Sequence, residues 1–517
     1  MKIGKTFTIV IWTVFLLHLV LVIVAIPRGF DFSDEGLYGL MASPDQENVQ
    51  RILNYDVFFK LIFQFTSIEF SIIELRFLRL LVTGVSWIAA MQALRILESK
   101  VESWQLVMLG ISVLLSYTFL PQSLSYNHLT VMSGLCMLPI IIKWYHYKKS
   151  SLLDVIVIGL LLALLAYVKV TAALGMGLLM VGLLVRSKQL FNWKNLFLYL
   201  PFCLMETISY FFLGESRFYE VFIQLMGGVV LVHYPTSYVV KTLVVGFLWF
   251  MWIFLAGKLI GTTSQFIGNP WIRWSFGFLM IGWSAYVTFI VPEPSILFVV
   301  IFISILGMLS TSAISSSSSV GLTLLLVGIP WLLHAGSNVY FFRMAIHYLP
   351  FWMLFLLSLE NTRPRVFKRF FWFFPFASLG LMVYALWLHP FRQPSLLLQN
   401  RIYTMGNGQE ILMDKARMEF LHDIRAYMEQ YDVGTDELFS FYQNPGVLYV
   451  LGLVHPKVPG VWNAAQLEML AMDWKDYKLL IFSPEGGSTF PWDAYFEQKY
   501  IYEFEGERFE IWIRTNE

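Results

Sequence analysis

The sequence predicts an all-α polytopic membrane protein of about thirteen transmembrane helices, followed by a small extracytoplasmic α/β domain. Three observations predict it. Of 517 residues, 57% are hydrophobic and only 14% charged, with mean hydropathy +0.64, whereas globular domains carry about 25% charged residues. Apolar runs of about 20 residues, long enough to cross a hydrocarbon core of roughly 30 Å, recur along the first three quarters of the chain. Beyond Ser395 the composition becomes that of a soluble domain. Residues 1–390 therefore read as a transmembrane module and 395–517 as a separate domain.

Lys2 and Lys5 precede the first run and place the N-terminus in the cytoplasm by the positive-inside rule. That run, 7–26, ends in Pro27-Arg28 without a small-residue cleavage site, so it reads as a retained helix. The acidic loop 28–57 is then outside. The piece 57–65 is too brief to span and belongs at the interface. Helices follow at 71–97, 104–120 and 129–145, with a polar outer turn at 121–128 between the last two. The run 152–185 is too long for one span and is broken at Lys169. A helix at 196–213 opens an external segment, 215–238, carrying Arg217, Glu220 and His233. Helices at 239–259 and 273–290 lead to the outer turn Pro292-Glu293-Pro294. A tenth helix runs to a serine linker, 315–319, and an eleventh ends at His334. The last two, 345–359 and 370–387, flank a basic loop with Arg363, Arg365, Lys368 and Arg369. Every internal loop except the serine linker carries Lys or Arg, and the alternation never has to be forced.

In the C-terminal domain Phe420, Leu421, Ile424, Tyr427, Met428 and Tyr431 follow helical periodicity. Residues 437–442 and 478–482 read as strands, 463–474 as a helix with Asn463 as its N-cap, and 500–504 with 508–513 as a hairpin turning at Glu505-Gly506. Cys136 and Cys203 lie in apolar runs and read as small buried hydrophobes. A formal net charge of +1 supplies no field that would draw nucleic acid.

Ionisable groups at membrane depth cost roughly 2.5–3.5 kcal/mol, so each needs a reason. Here Asp31, Asp34, Glu35 and Asp56 gather on one face with Arg76, Arg79, Lys169, Arg217, His233, Arg343 and His347. That pairing suits transfer of a group from an anionic lipid carrier. A carboxylate takes the acceptor's proton, and cations neutralise a phosphate leaving group. Asp34-Glu35, flanked by Phe32 and Tyr38, is the strongest candidate, whereas Asp31 reads as a solvated loop residue. Lys169 is balanced between phosphate ligand and snorkelling side chain. Arg343 and His347, at i, i+4 spacing, read as a functional pair on one face. His128 reads as an ordinary interfacial histidine and Asn127 as a turn or cap residue.

The stretch Phe32-Ser33-Asp34-Glu35-Gly36-Leu37-Tyr38 resembles the first-loop motif of the GT-C membrane glycosyltransferases, a superfamily that includes protein O-mannosyltransferases and bacterial aminoarabinose transferases. Arg76-Phe77-Leu78-Arg79-Leu80 and Tyr167-Val168-Lys169-Val170-Thr171 are similar to further elements of that family, although the usual Pro after the first is absent. The resemblance implies sugar transfer, with inversion, from a polyprenyl-phosphate carrier to a lipid, glycan or protein acceptor at the outer face of a bacterial or archaeal plasma membrane. It implies Asp34 as general base, Glu35 as its acidic companion and Lys169 as a contact for the carrier phosphate; by their placement Arg76, Arg79, Arg343 and His347 join Lys169 as candidate donor-phosphate ligands. Asp56 is the candidate for a second acidic role and for holding a divalent metal ion. The rival class is a transporter or flippase for a lipid-linked substrate. The sequence lacks the internal repeat expected of one. An assembly subunit with a degenerate loop is a third class.

Overall fold

A computed structural model describes the chain except for residues 1–4, 50–52, 99, 149, 215, 217, 220–235, 264–274, 276–281, 283–292, 311–316, 359–363, 443, 463–465, 468–469, 471–475, 485–494, 505–506 and 516–517. Helix α1 (Lys5–Ala25) is apolar along its length and free of glycine and proline. At ~1.5 Å per residue it is about as long as a bilayer core is thick. One side buries Phe7, Ile11, Val14 and Val22, while Ile9, Leu16 and Val20 are exposed, as on a lipid-facing helix. It ends where Pro27 and the left-handed Gly29 (φ +70°) turn the chain.

Two short helices sit at this end before the next long one: α2 (Asp34–Ala42) and α3 (Asp56–Thr66). Helix α4 (Ile72–Leu97) opens with a capping box, the Ser71 N–H donating to Glu74 Oε2 at 3.1 Å. Then come α5 (Ser103–Leu114), α6 (Tyr126–Tyr147), α7 (Leu152–Val168), α8 (Val170–Arg186), α9 (Leu200–Leu213), α10 (Thr236–Thr263), α11 (Pro294–Ser310) and α12 (Ser317–His334). The four-residue α13 (Phe341–Met344), a 3₁₀ turn (Ala345–Tyr348) and α14 (Leu349–Ser358) form one almost wholly buried rod at the bundle's centre. Helix α15 (Pro364–Met382) closes the series and runs into a π-helical turn ending at Leu388.

Among the described residues, seven helices are long and apolar enough to cross a membrane, and five shorter apolar helices accompany them. Exposed Phe77, Leu81, Leu174, Leu178, Phe211, Leu248 and Leu324 clothe the outside of the bundle. This is a helical integral membrane protein.

The expected break at Lys169 is present: α7 ends at Val168, and Lys169 adopts an extended conformation (φ −159°, ψ 92°) before α8. Two expectations change. The acidic loop carries a short helix, because the Asp31 carboxylate caps α2, accepting from the N–H groups of Ser33 (3.0 Å) and Glu35 (3.2 Å). Asp31 is thus fully buried rather than solvated. The serine linker is shorter than expected, since Ser317 to Ser319 already form the first turn of α12. The expected helices at 273–290 and 463–474, and the residues Arg217, Glu220 and His233, lie outside the described residues in whole or in large part.

The C-terminal domain has a hairpin, β1 (Arg401–Thr404) with β2 (Glu410–Met413), then α16 (Lys415–Gln430), β3 (Leu438–Phe441), α17 (Gly446–Leu451), β4 (Leu479–Phe482), β5 (Phe496–Phe504) and β6 (Glu507–Arg514). The main sheet has order β3-β4-β6-β5. β3 and β4 pair in parallel, Leu438 opposite Leu479, and every residue of both is buried, as continuous apolar strands require. β6 pairs antiparallel with β4 and with β5.

This domain does not stand apart from the bundle. Phe30, Phe32, Tyr38 and Leu40 share one core with Tyr403, Phe420, Val447, Leu448 and Phe509. Backbone bonds stitch the seam: Gly29 N–H to the Leu412 carbonyl (2.7 Å), Leu412 N–H to Pro27 (2.8 Å) and Gly446 N–H to Phe32 (2.7 Å). α2 and α17 touch through Gly36 and Gly446, where a Cβ on Gly36 would fall onto the Gly446 backbone.

Candidate functional site

The adjacent carboxylates of α2 point in different directions, roughly 100° apart around the helix, and meet different surroundings. Glu35 is fully buried and takes a two-pronged bond from Arg76: Nε to Oε1 at 2.9 Å and Nη2 to Oε2 at 2.8 Å. Arg76 also donates to the carbonyls of Ile26, Arg28 and Gly29. All five of its N–H groups are thereby used inside the protein. Glu35 and Arg76 hold the entry of the first loop against α4.

Asp34, in the first turn of α2, is the half-open carboxylate of the cluster, and among the described residues it accepts no hydrogen bond. Burial pushes its carboxyl above the usual aspartate range, and the Arg392 guanidinium pulls it partly back. Beside it lie two tyrosines, with a third behind one of them. Tyr38 and Tyr55 are buried, and burial together with their acidic and phenolic neighbours, Asp34 among them, keeps both phenols un-ionised. Tyr126 is edge-on to Tyr38, with ring centroids 6.4 Å apart.

Arg79, one turn beyond Arg76, is also fully buried. It donates to the carbonyls of Pro121 and Ser116 (2.8 Å to the latter) and lies 3.8 Å from the Tyr117 ring centroid. Its Nε has no partner among the described residues. Next to it the His128 and His347 rings stand 5.2 Å apart. His128 Nδ1 bonds the Ser125 hydroxyl at 2.8 Å, capping α6, while its Nε2 has no partner among the described residues. Neither ring nitrogen of His347 has a hydrogen-bond partner among the described residues. His334, at the end of α12, contacts the Tyr348 hydroxyl through Nδ1 at 3.3 Å.

The remaining predicted residues are more distributed. Lys169 donates to the carbonyls of Leu333 (2.9 Å) and His334 (3.2 Å), closing the C-terminal end of α12, where a cation also meets the negative end of the helix dipole. Arg343 pairs with Glu293 at 2.6 Å and is half exposed. It does not share a face with His347, contrary to the i, i+4 expectation. The chain passes from α13 into a 3₁₀ turn, which rotates His347 inward to full burial. Asp56 heads α3 and pairs with Lys60 at 3.3 Å. Among the described residues no group of three or more His, Cys, Asp or Glu side chains could hold a metal ion.

Sequence reading passed over two residues that shape the site. Arg392 lies in the short connection between the last helix and β1, exposed, and its Nη1 donates to the Ser33 hydroxyl at 2.9 Å. Arg417 of α16 reaches back to the Phe30 carbonyl at 2.9 Å. A cation just past the final span, on the face already rich in carboxylates, was the available signal for Arg392.

Fold and site together define an integral membrane protein whose polar centre lies at one end of a helix bundle, beneath a C-terminal α/β cap. No protein-family model, curated protein or solved structure matches the chain.

Proposed function

We propose that this protein is an integral-membrane glycosyltransferase of the GT-C type, moving a sugar from a polyprenyl-phosphate carrier to an acceptor on the extracytoplasmic face. Asp34 carries the reading: it is a half-open carboxylate at the bundle end that holds buried cations, while its neighbour Glu35 is tied to Arg76. The acceptor's O–H gives its proton to Asp34 as its oxygen attacks the anomeric carbon. The carbon–oxygen bond to the carrier phosphate breaks on the opposite face, inverting the centre and releasing the phosphate as an anion.

Arg79 is the buried cation best placed to receive that charge, because fixed charge acts strongly there, and the His347 ring beside it has an N–H free to donate to the phosphate. Lys169 keeps a third N–H beyond the two it gives to α12. Arg343 would have to turn from Glu293, and Arg76 acts through Glu35. In this reading the five shorter helices and the run 273–290 complete about thirteen spans, with the N-terminus cytoplasmic in a bacterial or archaeal plasma membrane.

The test is incubation of the purified protein in detergent with radiolabelled polyprenyl-phosphate sugars and a panel of hydroxyl acceptors. Carrier consumption that Asp34→Asn abolishes is the expected result. Movement of the carrier across vesicle membranes without turnover would instead identify a flippase.

A further inference from the structure

We propose that Arg392 is a positioning residue of this site: held over the first turn of α2 by the C-terminal domain, it keeps the Asp34 carboxylate in its charged, proton-accepting form. This rests on the reading of Asp34 as base. Its ground is geometric. Arg392 stands four residues beyond the last helical turn with a left-handed backbone (φ +48°), a conformation that a non-glycine residue keeps only when its surroundings impose it. The surroundings do so here. Arg417, fully buried in the cap, donates Nη2 to the Arg392 carbonyl at 2.8 Å and Nη1 to the Phe30 carbonyl, joining the connection to the loop that leads into α2. One residue earlier, Phe391 packs edge-on against Phe119, with centroids 5.6 Å apart. The result is a guanidinium whose Nη1 rests on the Ser33 hydroxyl, directly before Asp34.

The other charged and titratable groups near Asp34 have commitments of their own. Arg76 is matched to Glu35, and Arg79 is held by the Ser116 and Pro121 carbonyls over Tyr117. Lys60 is paired with Asp56. The Asp31 carboxylate caps α2 through backbone N–H groups. Tyr38, Tyr55 and Tyr126 are phenols, neutral at neutral pH. Arg392, bonded to the residue directly before Asp34, is the cation whose charge acts on it, and a nearby opposite charge counters the preference of a buried carboxyl for its protonated form. A group held in place by the cap thereby tunes a group in the bundle.

The experiment measures Asp34 with and without turnover. Carbodiimide attacks the protonated carboxyl, so adduct formation on the Asp34 peptide, followed by mass spectrometry against pH, reports its protonation in the full-length protein. Arg392→Gln removes the charge. Arg392→Gly removes it while relieving the left-handed backbone, so that variant folds even if the first does not. Arg392→Lys restores a cation. The labelling midpoint should rise by about one pH unit in the Gln and Gly variants and stay near the parent in the Lys variant. The acid limb of the pH–rate profile for carrier consumption should move with it. An unchanged midpoint in Arg392→Gly overturns the proposal. A shifted midpoint in a protein that consumes no carrier supports the Arg392–Asp34 coupling and overturns the base reading instead.

Discussion

The two ends of the helix bundle treat charge in opposite ways. At the end under the cap, Glu35 and Arg76 pair with neither side chain exposed, and Arg79 is equally buried. At the other end, Lys143 pairs with Asp154 at 2.9 Å with the lysine 44% exposed, and Arg186 lies over the Tyr145 ring near the surface. The exposed pair is of a kind worth ~0–1 kcal/mol. The buried pair is costly to assemble and costlier to break. A protein needing only a tether would favour the first arrangement. The second keeps a half-open carboxylate, Asp34, in a fixed orientation beside buried cations.

The contrast is sharpest at Asp34 itself. Asp34→Asn should lower sugar transfer by roughly 10²–10⁴-fold while leaving the fold intact. Because burial raises this carboxyl above its unfolded value, the folded protein binds the proton more tightly, and stability falls as pH rises through that interval. Replacing the charged group should therefore raise the melting temperature in detergent at pH 7. A variant both less active and more stable is the signature of a strained functional group; a less stable one would make Asp34 structural.

Arg76→Met should cost roughly 3–5 kcal/mol, because it strands Glu35 without its partner. Thermal unfolding and loss of the folded peak in gel filtration measure it. His455 in the cap supplies a pH test. Its ring contacts the Ser440 carbonyl at 2.8 Å and its backbone exchanges two hydrogen bonds with Gln46 of the acidic loop after α1. Burial pulls it down to about 4 from 6.5. The stability this neutral ring contributes is therefore fully present above pH 6.5 and lost as pH falls towards 4, by about 3 kcal/mol. His455→Gln should flatten that part of the stability–pH curve relative to the parent.

Gly36→Ala should cost roughly 1–3 kcal/mol, since its Cβ would collide with the Gly446 backbone where α2 meets the cap. Limited proteolysis between the last helix and the cap should report the loosened seam. The smallest effect belongs to the opposite end: Lys143→Met should change stability by less than ~1 kcal/mol and leave transfer untouched. A loss there comparable to that of Arg76→Met would erase the distinction between the ends.

Much of the frame was legible in the sequence. Hydropathy marked the long helices, the charge of Lys169 marked the break between α7 and α8, and helical periodicity marked α16. These are local signals: each depends on residues within a turn or two and on whether they prefer lipid or water. What escaped was non-local. Asp31 read as a solvated residue because its capping role depends on the chain turning back at Ser33. Arg343 and His347 read as a pair because spacing alone assumes an α-helix, whereas the chain tightens to a 3₁₀ turn between them.

By itself, then, the sequence determined that this chain lives in a membrane, roughly where it crosses, and that one face collects carboxylates and cations. Only the tertiary structure decided which carboxylate is bound and which is half open. Asp34 and Glu35 are chemically near-equivalent neighbours, and the rotation of α2 against α4 turns Glu35 to Arg76 and leaves Asp34 beside Arg392, 358 positions away along the chain. The burial of a charge depends on what packs around it, and the packing here comes from a cap whose residues begin after the last transmembrane helix has ended.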